Sequence, residues 1–142
     1  MDICINTGEI IKQFGAEDGY RMIAEAGFTA VDWSLYDHAP SIRRVIAQAP
    51  VLKDLCIFER SLDEMLDYFA PELEAIKKNG LRIGQLHTPF PFYVEGREDI
   101  ADYCIGLYHN IIELADAVGC PYVIIHGHSP AAGPLKDGND PV

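Results

Sequence analysis

The chain has 142 residues, 49% of them hydrophobic, with a formal net charge of −11. That composition suits one globular domain with its own core and excludes a disordered tail. No apolar run approaches the roughly 20 residues of a membrane span, so no membrane partner is expected.

The opening stretch, MDICINTGEI, is acidic and lacks the basic-then-apolar plan of a secretory leader, so a cytoplasmic location is expected. The eleven basic residues are scattered, and only Arg43–Arg44 and Lys77–Lys78 form tight pairs. Nucleic-acid binders present a basic patch, so no nucleic-acid partner is expected. Cys4, Cys56, Cys104 and Cys120 form no close pair such as C-x-x-C. Free, buried thiols in a reducing compartment are the expectation.

In chain order, Ile3 to Ile5 begins a first strand. Tyr20, Ile23, Ala24 and Gly27 then recur at helical spacing, with Asp18 as candidate N-cap and Gly27 as the C′ glycine. TAVDWSL follows and alternates, with Val31, Trp33 and Leu35 on one face and Ala30, Asp32 and Ser34 on the other. IRRVIAQAPVL can form a short helix stopped by Pro50. Ser61 to Glu64 reads as a capping box, and Leu62, Met65, Leu66, Phe69, Leu73 and Ile76 continue as an apolar stripe. Pro71 inside that stripe predicts a kink or a split. Asn79-Gly80 ends the helix, and the strand LRIGQLH follows. A third helix is predicted from about Glu98 to Val118, ended by Gly119, and the strand PYVIIH comes next.

The grammar is therefore strand, helix, glycine, strand, repeated. It predicts an α/β fold of parallel strands joined by right-handed crossovers. Four strands are expected, near residues 2–6, 29–35, 81–87 and 121–127.

Alternation then assigns the strand faces. Leu81, Ile83, Gln85 and His87 share one side, and Gly84 and Leu86 take the other. Tyr122, Ile124, His126 and His128 share a side, while Val123 and Ile125 suit packing against helices. Gln85, His87, His126 and Asp32 then converge opposite the helices, near the C-terminal ends of their strands. Barrel enzymes and open α/β sheets place chemistry at that end. Buried polar groups are costly unless paired or used, so a histidine at each of two strand ends points to a site. Histidine there can bind a metal, polarise an oxygen or move a proton. The spacing secures no metal motif; His87 and His126, with His128 and Asp32 nearby, are the candidate ligands. H-E-x-x-H, P-loop, G-x-G-x-x-G and G-x-S-x-G patterns are absent. Phe90, with Phe92 and Tyr93, is a candidate apolar wall for a ligand, or equally a plug over the core.

These segments carry a family likeness. MIAEAGFTAVDW resembles the A-x-x-G-F-x-x-V-E signature of the xylose-isomerase-like barrels, the sugar phosphate isomerase/epimerase superfamily. LRIGQLHTPF looks like that family's third strand, and AVGCPYVIIHGH looks like its fourth. Three matched segments in order cover nearly the whole chain. The resemblance implies a (β/α)8 barrel, a sugar or polyol substrate, and proton transfer next to a carbonyl through an enediolate. It also implies a divalent metal (Mn, Mg, Co or Zn) in the complete barrel. By the same likeness His87 and His126 sit where the substrate pocket is lined, or, in the abasic-site endonuclease branch, where metal is bound. Asp32 falls where the family often has Glu.

A full barrel takes about 250 residues, so residues 1–142 are expected to form a single N-terminal half-barrel unit. In the epimerase branch of that family the metal ligands come from strands five to eight, which leaves the isolated chain expected to be inactive. Four strands cannot close a barrel, so self-association of the exposed half is expected. Three readings stand: the front part of an isomerase or epimerase, a catalytically incompetent self-associating module, and a nuclease-like protein that the acidity disfavours.

Overall fold

The fold is described from a computed structural model, for residues 3–40, 53–89 and 97–126. Strand β1 spans Cys4–Asn6, helix α1 Gly8–Glu25, β2 Ala30–Ser34, α2 Leu62–Lys78, β3 Arg82–His87, α3 Glu98–Ala117 and β4 Val123–Ile124. The four strands are parallel and lie in sequential order, β1-β2-β3-β4. Right-handed crossovers between neighbouring parallel strands place every helix on one side of such a sheet. One buried cluster fits that arrangement, joining Val31, Trp33, Ile83 and Leu86 to Tyr20 and Ile23 of α1, Met65 and Phe69 of α2, and Ile100, Ile111 and Leu114 of α3. No helix among the described residues is long and apolar enough to cross a membrane.

Each helix hands over to its strand by the same device. Gly27, Gly80 and Gly119 all have positive φ (89°, 66° and 70°). In each case the glycine N–H bonds back to the helix, and the next residue's N–H reaches one turn deeper: Phe28 to Ile23, Leu81 to Ile76, Cys120 to Ala115. This is the Schellman closure, and it reverses the chain within two residues. The Ser61–Glu64 capping box forms as the sequence predicts.

Four local expectations are corrected. Helix α1 begins at Gly8, not Asp18, and continues past a non-helical Gly15 (φ 75°, ψ 169°). Only glycine adopts that backbone at no steric penalty, so the weakly periodic Gly8–Phe14 stretch forms a separate first segment. Pro71 does not split α2, which runs unbroken from Leu62 to Lys78. The carbonyl that Pro71 leaves unpaired belongs to Asp67, and both residues are exposed, so water can satisfy it. Ile125, expected against the helices, is exposed instead, because β4 ends at Ile124. The IRRVIAQAPVL helix expected from sequence lies outside the described residues.

The fourth correction concerns the faces of β3. Val31 pairs with Ile83, but Asp32 pairs with Gln85, so Gly84 is an extra residue in β3. This β-bulge resets the alternation. Ile83 joins Leu86 on the helix side, opposite Val31 and Trp33, while Gln85 and His87 stay on the other face.

That other face is concave. A Cβ on Gly84 would stand 2.5 Å from Cys4 Sγ and 3.4 Å from Ala30 Cβ. Cys4 is on β1, Gly84 on β3, and β2 lies between them. In a flat sheet, strands two apart are separated by roughly 9.5 Å, a gap a cysteine side chain is too short to bridge. The sheet is therefore strongly curled, and small residues at positions 30 and 84 make room on its inner side.

Candidate functional site

The concave face carries one polar chain of contacts that takes a residue from β1, β2 and β3 and one from just past β4. Asn6, the last residue of β1, pairs in register with Asp32 of β2. Its Nδ2 donates to Asp32 Oδ2 at 2.9 Å. His87, the last residue of β3, brings Nδ1 to 3.1 Å from the same oxygen. His87 Nε2 then meets Nε2 of His126, two residues past β4, at 2.6 Å. The two imidazoles lie 4.8 Å apart, tilted by 31°.

The backbone fixes this geometry. The His87 carbonyl accepts from Leu35 N–H at 3.0 Å. Thr88, fully buried, donates both N–H and Oγ1–H to the Ile124 carbonyl. Tyr108 Oη of α3 donates to the Pro89 carbonyl at 2.9 Å. Clamped on both sides, His87 has little backbone freedom, and a group held this way starts in a reactive orientation.

Asp32 is only 7% exposed, and its Oδ1 is buried with no hydrogen-bond partner among the described residues. A buried polar atom of this kind calls for an explanation, because burial without a partner is destabilising. Asp32 thus lies in the interior beside His87, with Oδ2 shared between Asn6 Nδ2 and His87 Nδ1. Burial and the neighbouring His87 both lower the His126 pKa, favouring the neutral ring.

Of the sequence candidates, the structure brings Asp32, His87 and His126 together, and places Gln85 half-buried on the same face, in register with Asp32. Phe90, Phe92, Tyr93 and His128 lie outside the described residues. Sequence reasoning missed Asn6 and Thr88. Asn6 carried one usable signal: it precedes Thr-Gly at a strand end, where an asparagine side chain commonly bonds the amide two residues on.

The described residues do not make a metal centre. Among them, no group of three or more His, Cys, Asp or Glu side chains is placed so that it could hold a metal ion. A metal site needs three or four protein donors, and His87 with His126 supplies two that face each other.

A second carboxylate–histidine contact lies on the helix side. Glu72 of α2 accepts from Tyr20 Oη at 2.7 Å and Trp33 Nε1 at 3.0 Å, and His38 Nε2 stands 3.2 Å from its other oxygen. Burial pushes the Glu72 carboxyl up, but hydrogen bonds from His38, Tyr20 and Trp33 outweigh it and hold the pKa below the ordinary value. His38 and Glu72 border a small cavity with Ser34, Asp37 and Lys12. No family model matches the chain, and neither a curated protein nor a solved structure matches it.

Proposed function

We propose that this chain carries the histidine half of a site for proton transfer next to a carbonyl in a sugar or polyol. This is the chemistry of a metal-dependent isomerase or epimerase on a (β/α)8 barrel. The observation that carries the reading is the Asn6–Asp32–His87–His126 relay, drawn from β1, β2, β3 and the residues just past β4, at the C-terminal rim of a curled parallel sheet. Chemistry sits at that rim in barrels of this kind. The relay supplies what proton transfer needs: imidazoles within hydrogen-bond reach of each other, and a carboxylate to hold the charge that forms on His87. The divalent metal (Mn, Mg, Co or Zn) of a complete barrel requires ligands beyond the described residues, and the relay's own proton movement does not depend on it.

Calorimetric titration of the chain with a panel of ketoses and polyols tests this. Wild-type protein is expected to bind at least one member, and His87→Ala to weaken that binding by about tenfold or more, the value of one to two hydrogen bonds. No binding across the panel overturns the reading.

The exposed edges favour self-association as a property of the same chain. Among the described residues β1 and β4 have no outer neighbour, and Ile3, Tyr122 and Ile125 beside them are 66%, 67% and 45% exposed. Open edges with apolar flanks recruit partners. Light scattering at micromolar concentration is expected to show a species larger than a monomer; a clean monomer contradicts the proposal.

A further inference from the structure

We infer that Asn6 is the positioning residue of the concave site: it fixes the direction of the hydrogen bonds from β1 to β4, so that His87 carries its proton on Nδ1 and His126 is the donor between the two imidazoles. The inference is independent of what the site binds.

The direction follows from atom chemistry. Gly8 N–H lies 3.1 Å from Asn6 Oδ1. A backbone N–H can only donate, so the atom facing it is the amide oxygen, and the NH2 group is left to meet Asp32. Asp32 Oδ2 therefore accepts from Asn6 at 2.9 Å. His87 Nδ1 stands 3.1 Å from the same oxygen. A carboxylate has no proton to offer, so Nδ1 supplies it. A neutral imidazole has one N–H, which leaves His87 Nε2 as an acceptor. At 2.6 Å from His126 Nε2, two bare lone pairs would repel, so His126 supplies that proton.

Asn6 matters because the carboxylate has so few restraints. Asp32 Oδ1 has no partner among the described residues. Take Asn6 away, and among the described residues one contact from His87 is all that orients the group; the carboxylate can turn, and the hold on the His87 Nδ1 proton weakens. With Asn6 in place the relay runs inward. When a bound hydroxyl or water gives a proton to His126 Nδ1, the N–H bond at His126 Nε2 breaks and the N–H bond at His87 Nε2 forms, which leaves His126 neutral, the donor oxygen deprotonated and a His87 imidazolium facing the Asp32 carboxylate.

Nitrogen-15 NMR of the histidine rings at about pH 8, where ordinary imidazoles are neutral, reads the tautomer directly. Wild-type His87 is expected to be protonated on Nδ1. Asn6→Ala and Asn6→Ser should each lower the Nδ1–H to Nε2–H ratio by about tenfold, the value of one hydrogen bond to a charged group. Serine keeps an acceptor for Gly8 N–H but is too short to reach Asp32, so Asn6→Ser preserves the local turn if the alanine variant fails to fold. A wild-type His87 protonated on Nε2 overturns the inference. So does an unchanged tautomer ratio in a folded Asn6→Ser protein, which would leave Asn6 a purely structural residue.

Discussion

The described residues hold two carboxylate–histidine contacts of nearly equal length, Glu72–His38 at 3.2 Å and Asp32–His87 at 3.1 Å. Their surroundings differ. Both Glu72 oxygens are engaged, by donors from α1, β2 and the turn after β2. Asp32 puts two contacts on one oxygen and leaves the other buried and unpartnered among the described residues. A saturated carboxylate ties elements together and has nothing left to offer a ligand. An unsaturated one at the strand ends, holding a histidine that touches a second histidine, has capacity in reserve. Contact length alone would rank the two equally; hydrogen-bond accounting separates a structural node from a candidate site.

Removing each carboxylate sharpens the contrast. Glu72→Ala should destabilise the fold by about 3 kcal/mol, because it leaves Tyr20, Trp33 and His38 without their acceptor in a largely buried place. Asp32→Ala should lose only about 1 kcal/mol, since an unpartnered oxygen leaves with it. Urea unfolding of both variants checks the order; equal losses would erase the distinction.

The curl that creates the concave face is tested next. Gly84→Ala should destabilise by about 1–2 kcal/mol, the range of a tight core overpacking, because its Cβ would lie 2.5 Å from Cys4 Sγ. Cys4→Ala should recover most of that loss in the double variant, and additive effects would mean the two strands do not meet.

A smaller effect is expected from pH. The Glu72 carboxyl is held below its ordinary range in the folded protein by hydrogen bonds from His38, Tyr20 and Trp33, which outweigh its burial. A depressed folded value contributes stability that is fully present above the unfolded value and lost as pH falls through the folded one. Acid titration of stability should therefore show a loss below about pH 4.5 that is absent in Glu72→Gln. Outside both carboxylate regions, Ser61→Ala should destabilise by about 1 kcal/mol through the lost N-cap, read by the same urea unfolding.

Much of this architecture is legible in the residues. The three glycine stops announce the helix ends because only a positive φ closes them so abruptly, and the Val31–Trp33 alternation names the helix face of β2 directly. Legibility fails where one residue changes the geometry without leaving a pattern. Gly84 looks like any strand glycine, yet it inserts a bulge and moves Ile83 to the helix face. Gly15 hides a helix start ten residues before the Asp18 cap that the sequence suggests. His87, His126 and Asp32 were readable as convergent from strand ends and alternation. Asn6 was not, because its role depends on register with Asp32, and register is a property of two strands that one strand's sequence does not carry. The Glu72 node was invisible for the same reason, since its donors come from three separate segments.

Histidine-ring NMR during titration with a sugar or polyol that the chain binds addresses the central claim directly. The rings of His87 and His126 should shift together as ligand is added, His38 should stay still, and Asp32→Ala should abolish the paired shift. Shifts confined to His38, beside the Glu72 cavity, or no ring shift at saturating ligand, would place binding elsewhere and contradict the account.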